Sequence, residues 1–434
     1  MFVVAPGVRS QTSTPAAEQV AVAPPRLGWL DALRGFAALS VVLFHLSPHV
    51  IGSGRHLAIF RHVDVGRYGV LLFFLVSGYV IPMSLERHGS LRRFWVGRLF
   101  RIYPAYLATV ALIGVLTLAG LVTLPAALRA DPVTGVLAHA GMLTDLLGVR
   151  GLVRVFWTLA YEMTFYLIVA GLFAVRRHRH SGWWACGLAL LGLAGPRLPD
   201  GLFAAHRTAA AVLLLVLLVA AITAGLTGRR RSAGLLGVLF VLLPAVDAHA
   251  TAQSTVAGSW QGVQLLAVMF AGTVVYRAEH RQLGRRAATL TLSVVLGCLV
   301  VAHAAYAGGA VTATTLGAVA VTFAAAFALR GRDVPKVLTW LGVISYSLYL
   351  LHVVVLGQVT RLIPDLGARP APVRLAAGVA FLLLAVGCAT LSHRWVELPA
   401  QALGRRILAA RTITVATQRA VPPTARGDNA DGSV

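Results

Sequence analysis

Twelve apolar runs, most of them close to the ~20 residues that an α-helix needs to cross a bilayer, decide what this chain can fold into. The first holds residues 30–45, and the others lie at roughly 68–85, 102–124, 156–175, 183–195, 209–227, 233–247, 262–276, 287–306, 310–330, 338–361 and 373–393. With 58% of the 434 residues hydrophobic and only 12% charged, too little polar surface remains to cover a soluble globule. The expected fold is therefore all-α, a polytopic transmembrane helix bundle of about 10 to 12 spans, because the runs at 183 and 233 are short and flanked by Gly or Pro. Residues 1–28, rich in Ala, Pro, Ser and Thr, read as a flexible cytosolic tail, 29–400 as the membrane domain and 401–434 as a disordered cytosolic tail. Residues 125–154 read as a long loop that partly re-enters the bundle.

The formal net charge of +23 invites a nucleic-acid reading, but the arginines fall between apolar runs rather than along one polar face. Membrane lipids are the expected partners of that charge, and nucleic acid is not. The loop stretch holding Arg87, Arg92, Arg93, Arg98 and Arg101 is especially basic, so the positive-inside bias places it, and with it the N-terminus, in the cytosol of a multi-pass plasma-membrane protein. Cys186, Cys298 and Cys388 are odd in number, far apart and in apolar surroundings, so neither a disulfide framework nor a metal site is expected.

Against this background a few ionisable residues stand out, because a charge inside a span is costly and marks either function or a structural tie. The stretch LDALRGFAALSVVLFH carries Arg34 and His45. Eleven positions at 100° each return to within about 20° of the same face, with a rise of roughly 16 Å, so the two side chains share a stripe. Glu162 falls alone inside FWTLAYEMTFYLIVAGLF, and His352 closes SYSLYLLH with Ser345 and Tyr349 on its own face. Counting from the span edges puts His45, Glu162 and His352 in one layer about 20 Å from the cytosolic surface. Arg98 and Arg101, in SLRRFWVGRLFRIYP, are read as lying in the inner loop at that surface, where guanidinium forks suit phosphates. Plainer readings stay open at this point: a snorkelling arginine, interhelical hydrogen bonds from the histidines, a Glu–Arg tie and a loop for anionic lipid headgroups. A proton-coupled transporter would also use His and Glu within its spans.

Together these motifs resemble the acyltransferase family 3 integral membrane O-acyltransferases. The resemblance is carried by LDALRGFAALSVVLFH with its ten residues between Arg and His, by FFLVSGYVI, by FWVGRLFRIYPAYL with its Arg-x-x-Arg pair, by FWTLAYEMTFYL and by SYSLYLLH. It covers the first 175 residues densely and then one late span. It implies an acyl group, acetyl being expected, moved from cytosolic acyl-CoA to a hydroxyl of an acceptor such as a polysaccharide, glycolipid, peptidoglycan or macrolide, with no permanently bound cofactor. It also implies His45 as the catalytic base and Glu162 in the reaction centre, with Arg34, Arg98 and Arg101 at the coenzyme. Trp157, Tyr349 and His352 take supporting places. A single-domain member is implied, without the soluble esterase-like domain that some longer relatives append.

Overall fold

The structure, a computed structural model, describes residues 27–247, 257–307 and 309–420, with side chains as far as 410. The expected N-terminal tail lies almost wholly outside the described residues. The helices are α1 (Gly28–Val50), α2 (Ser53–Phe60), α3 (Val65–His88), α4 (Leu91–Leu118), α5 (Ala126–Ala130), α6 (Pro132–Ala140), α7 (Trp157–Ala174), α8 (Ser181–Leu191) and α9 (Arg207–Thr227). They continue with α10 (Arg230–Leu239), α11 (Leu243–Val246), α12 (Ser259–Glu279), α13 (Arg285–Tyr306), α14 (Gly309–Ala328), α15 (Lys336–Leu362), α16 (Ala371–Ser392) and α17 (Leu398–Ala420). Among the described residues there is no strand, and nine helices are long and apolar enough to cross a membrane. The near face of the bundle is the one at which α1 begins, and the far face is the one at which it ends.

Helix direction shows how the shorter elements complete the bundle. The nine long helices alone would make α15 the eighth crossing, antiparallel to α1. Instead the two run parallel at a constant offset of 307 residues: Gly35 lies against Gly342, and ten residues further on His45 meets His352. An odd number of further crossings must lie between them, and three elements supply it. The 21-residue α12 is one. The second is α8 with the 3-10 segment Gly192–Arg197, which starts where Ser181 accepts from Arg277 near the end of α12 and leads to Pro199, whose carbonyl accepts from Ser259 at its start. The third is α10 with α11, which starts beside Val175 and ends where Val246 and Asp247 bond the backbone of Leu202 and Phe203. The apolar runs at 183 and 233 are thus broken crossings, short as helices because Gly195 at φ +57 and a turn at 240–242 interrupt them.

Two expectations are corrected. The loop between the second and third crossings is only Gly89 and Ser90: Gly89 ends α3 at φ +60, and the Ser90 hydroxyl caps α4 by accepting from the Arg93 amide. Arg98 and Arg101 therefore lie about 10 and 15 Å along α4, inside the bundle rather than in a surface loop. At the other end of the chain, residues 401–420, expected within a disordered tail, continue as α17. This polar helix packs against α4, where Gly404 lies on the Phe100 ring. Residues 421–434 lie outside the described residues. The stretch 125–154 does turn inward: residues 141–149 are buried beneath the far face.

Candidate active site

The parallel pairing of α1 and α15 builds the upper part of the site. A Cβ on Gly342 would fall 1.9 Å from the Asp31 carbonyl oxygen, and one on Gly35 would fall 2.7 Å from the Gly342 amide nitrogen, so the backbones approach as only two glycines allow. That contact fixes the register, and the register brings the two histidines together with ring centroids 5.1 Å apart. Their tautomers follow from their acceptors. His45 Nδ1 lies 2.9 Å from the Val41 carbonyl and His352 Nδ1 3.1 Å from the Leu348 carbonyl, and a carbonyl only accepts, so both Nδ1 atoms carry the proton. His352 Nε2 then presents a lone pair to His45 Nδ1–H at 3.3 Å, which holds the His45 ring. What remains free on His45 is the Nε2 lone pair, on a half-buried ring, whereas His352 is fully buried.

One turn toward the near face from His352, Tyr349 bonds the start of α7 and the segment before it: its hydroxyl lies 2.9 Å from Thr158 Oγ1 and donates to the Val155 carbonyl at 3.1 Å. Below Tyr349 a narrow cavity of about 60 Å³ opens between α1, α3, α4, α7 and α15. Arg34, Arg98, Arg101, Glu162, Tyr166 and Tyr349 all line it. Five residues drawn together by the sequence motifs thus meet in one space. Among the described residues, none of the three guanidinium groups has a carboxylate within 4.0 Å. Arg34 lies within electrostatic reach of Arg101, Glu162 and Asp31, and Arg98 lies over the rings of Phe94 and Tyr166 at 5.7 and 5.2 Å.

The structure divides the layer that the depth count had made single. Glu162 takes its hydrogen bonds from the Tyr166 hydroxyl and, at 3.4 Å, from Ser77, while the partner of His45 is His352. Glu162 stands one turn below Thr158, and Thr158 pairs with Tyr349, so it lies about 10 Å nearer the near face than His352. The reason is that α7 carries its carboxylate on the turn below its contact with α15. Trp157, at the start of α7, packs edge-on against Tyr161 with centroids 5.9 Å apart. Ser77, Tyr166 and Tyr346 line the cavity without having been singled out from the sequence. A signal existed for Tyr166, which follows Glu162 at i+4, and for Ser77, which sits in FFLVSGYVI. No group of three or more His, Cys, Asp or Glu side chains among the described residues is placed to hold a metal ion.

A family model described as an acyltransferase domain matches residues 27–391. The chain belongs to that family. It is 28% identical over 204 residues to acyltransferase MdmB of Streptomyces mycarofaciens, covering 43% of this chain and 51% of the relative. It is 30% identical over 191 residues to nodulation protein 10 of Rhizobium leguminosarum bv. viciae, with 37% and 48% covered. Over 82 residues it is 38% identical to the putative peptidoglycan O-acetyltransferase YrhL of Bacillus subtilis (strain 168), with 18% and 11% covered. The chain spans about half the length of the first two of these curated relatives. No solved structure matches it. The resemblance read from the motifs is the family matched here.

Proposed function

We propose that this chain is a membrane-embedded O-acyltransferase that moves an acyl group, acetyl in the simplest case, from acyl-CoA to a hydroxyl of a carbohydrate or another acceptor. One observation carries the reading: three arginines that have no carboxylate partner among the described residues line a cavity directly below a histidine whose Nε2 bonds none of those residues and a second histidine that orients it. Arg34, Arg98 and Arg101 hold anionic oxygens of the coenzyme, bidentate guanidinium bonds being suited to phosphate. Glu162 offsets part of their mutual repulsion before the coenzyme binds. At about 60 Å³ the cavity is too small for a nucleotide, so in this reading the nucleotide stays toward the near face while the thioester reaches upward. From Arg34 to His45 the rise along α1 is about 16 Å, within the span of an extended pantetheine arm. The near face is then the cytosolic one, as the arginine bias of its loops supports.

In the reaction itself, His45 Nε2 removes the proton of the acceptor hydroxyl as the oxygen attacks the thioester carbonyl. His352 holds the ring and accepts from Nδ1–H as charge develops, the part that a carboxylate plays in a Ser-His-Asp arrangement. The C–S bond breaks, and the departing thiolate takes the proton back from the imidazolium to leave as the free thiol. The O-acetyltransferase name of one relative supports an oxygen acceptor, and its peptidoglycan supports a cell-envelope carbohydrate. The test is thermal stabilisation of the purified protein by CoA and acetyl-CoA, since a ligand that binds only the folded state raises apparent stability. A shift that needs markedly more coenzyme in Arg101→Lys supports the reading. The absence of any shift at saturating coenzyme would overturn it in favour of a proton-coupled transporter built on the same His and Glu.

A further inference from the structure

A second cavity, of about 1130 Å³, lies on the opposite side of α3 between α3, α12, α13 and α14. Its walls are hydrocarbon, among them Leu75, Val275, Leu292, Leu299, Leu316 and Phe323. Its mouth is charged and lies at the near face, where Arg281, Arg285, Arg330 and Glu279 line it. Arg330 is already engaged, because its Nε donates to Glu279 at 2.7 Å. Arg281 and Arg285 are exposed and have no carboxylate partner among the described residues. The same rim holds Gly284, the residue that precedes α13, and no side chain caps that helix, so its first amide groups and the positive end of its dipole face the mouth. Along α13 the lining runs from Arg285 to Leu299, a rise of about 21 Å, which is the depth of half a bilayer including its headgroup layer.

We propose that this cavity is a binding site for an anionic glycerophospholipid, with acyl chain in the apolar part and the phosphate between Arg281, Arg285 and the start of α13. A neutral lipid would fill the hydrocarbon but leave the two guanidinium groups unmatched, and a free phosphate would satisfy the mouth but leave the hydrocarbon walls wet. Only an anionic amphiphile meets both. The site shares a wall with the candidate active site but none of its arginines or histidines, so the inference does not depend on the acyl-transfer reading.

The experiment titrates delipidated, detergent-purified protein with dioleoyl phosphatidylglycerol, with dioleoyl phosphatidylcholine of the same chains, and with glycerol 1-phosphate, reading thermal shift and lipid retained in native mass spectrometry. Phosphatidylglycerol is expected to stabilise and to be retained, phosphatidylcholine to do so at least ten-fold more weakly, and glycerol 1-phosphate to do nothing. Arg281→Gln and Arg285→Gln, both surface changes, are each expected to weaken phosphatidylglycerol about five-fold, as fits a basic residue near an anionic headgroup. Ala320→Trp, which fills the cavity, should abolish retention of both lipids; if that variant misfolds, the two glutamine variants decide. Equal binding of the two lipids, equal effect of glycerol 1-phosphate, or unchanged phosphatidylglycerol affinity in the double glutamine variant would each overturn the proposal.

Discussion

α3 separates two cavities that could hardly differ more. On one side, Phe73, Phe74 and Ser77 face a space of about 60 Å³ crowded with three arginines, a glutamate and three tyrosines. On the other, Leu71 and Leu75 face one of about 1130 Å³ whose walls are hydrocarbon and whose charges stay at the mouth. The first keeps its ionisable groups deep and holds its carboxylate and tyrosines by hydrogen bonds; the second keeps its charges at the near-face rim. Burying a guanidinium costs free energy unless an anion or a dipole offsets it, so the deep arginines ask for a reason, which the proposed coenzyme site supplies, whereas rim arginines cost little and need less reason. In a membrane protein the depth of a charge is thus more informative than its presence.

The largest effect that tests this contrast is expected from His45→Ala. Loss of a general base should lower acyl transfer by roughly 10²- to 10⁴-fold while CoA still stabilises the protein, because the arginine cavity is left intact. Parental turnover in the His45→Ala protein would remove His45 from the chemistry. Arg101→Lys comes next: the charge stays but the fork is lost, and apparent affinity for acyl-CoA should weaken by about 1.5 to 3 kcal/mol, the range for hydrogen bonds to charged groups. Arg92→Lys, on the first turn of the same helix, serves as the control and should change affinity little; equal behaviour of the two variants would mean that depth does not matter. His352→Phe removes the lone pair that faces His45 Nδ1 and should cost about 1 to 3 kcal/mol in turnover, with the CoA-induced thermal shift retained. If the thermal shift is lost with it, His352 supports the coenzyme rather than the base. The smallest effect on activity is expected on the apolar side: Leu292→Ala enlarges an already open cavity and should leave acyl transfer within about two-fold, a comparison that fails if turnover falls as it does for His352→Phe.

Much of this arrangement was legible in the chain. Apolar run length gave the helices, and even the two short runs were crossings, because a span can be broken wherever protein covers the break, as it does around Gly195. Arg34, Arg98, Arg101, Glu162 and Tyr349 do meet, and their residue types were the signal, since charge in a span demands a partner. The levels were less legible. Depth counting assumed that each run starts at a membrane edge, and that assumption misplaced Arg98 and Arg101, whose helix begins seven residues before Arg98. It also merged Glu162 with the histidine layer. The His45–His352 contact had a signal that depth alone does not carry: each histidine follows a glycine by ten residues, Gly35 and Gly342, and two helices crossing at their glycines in parallel must bring the tenth residues together.

The 307-residue offset between those histidines has a consequence for synthesis. Among the described helices, α1 leaves the ribosome well before α4, α7 and α15, so Arg34 and His45 enter the bilayer with their eventual partners still untranslated. At about 5 to 20 residues per second, the groove that α15 fills stays open for roughly 15 to 60 s. During that time Arg34 can already meet Glu162 of α7, whereas His45 still lacks His352. A chain that stops just before residue 336 has already made α1 to α14 and still lacks the wall that α15 gives to the candidate site.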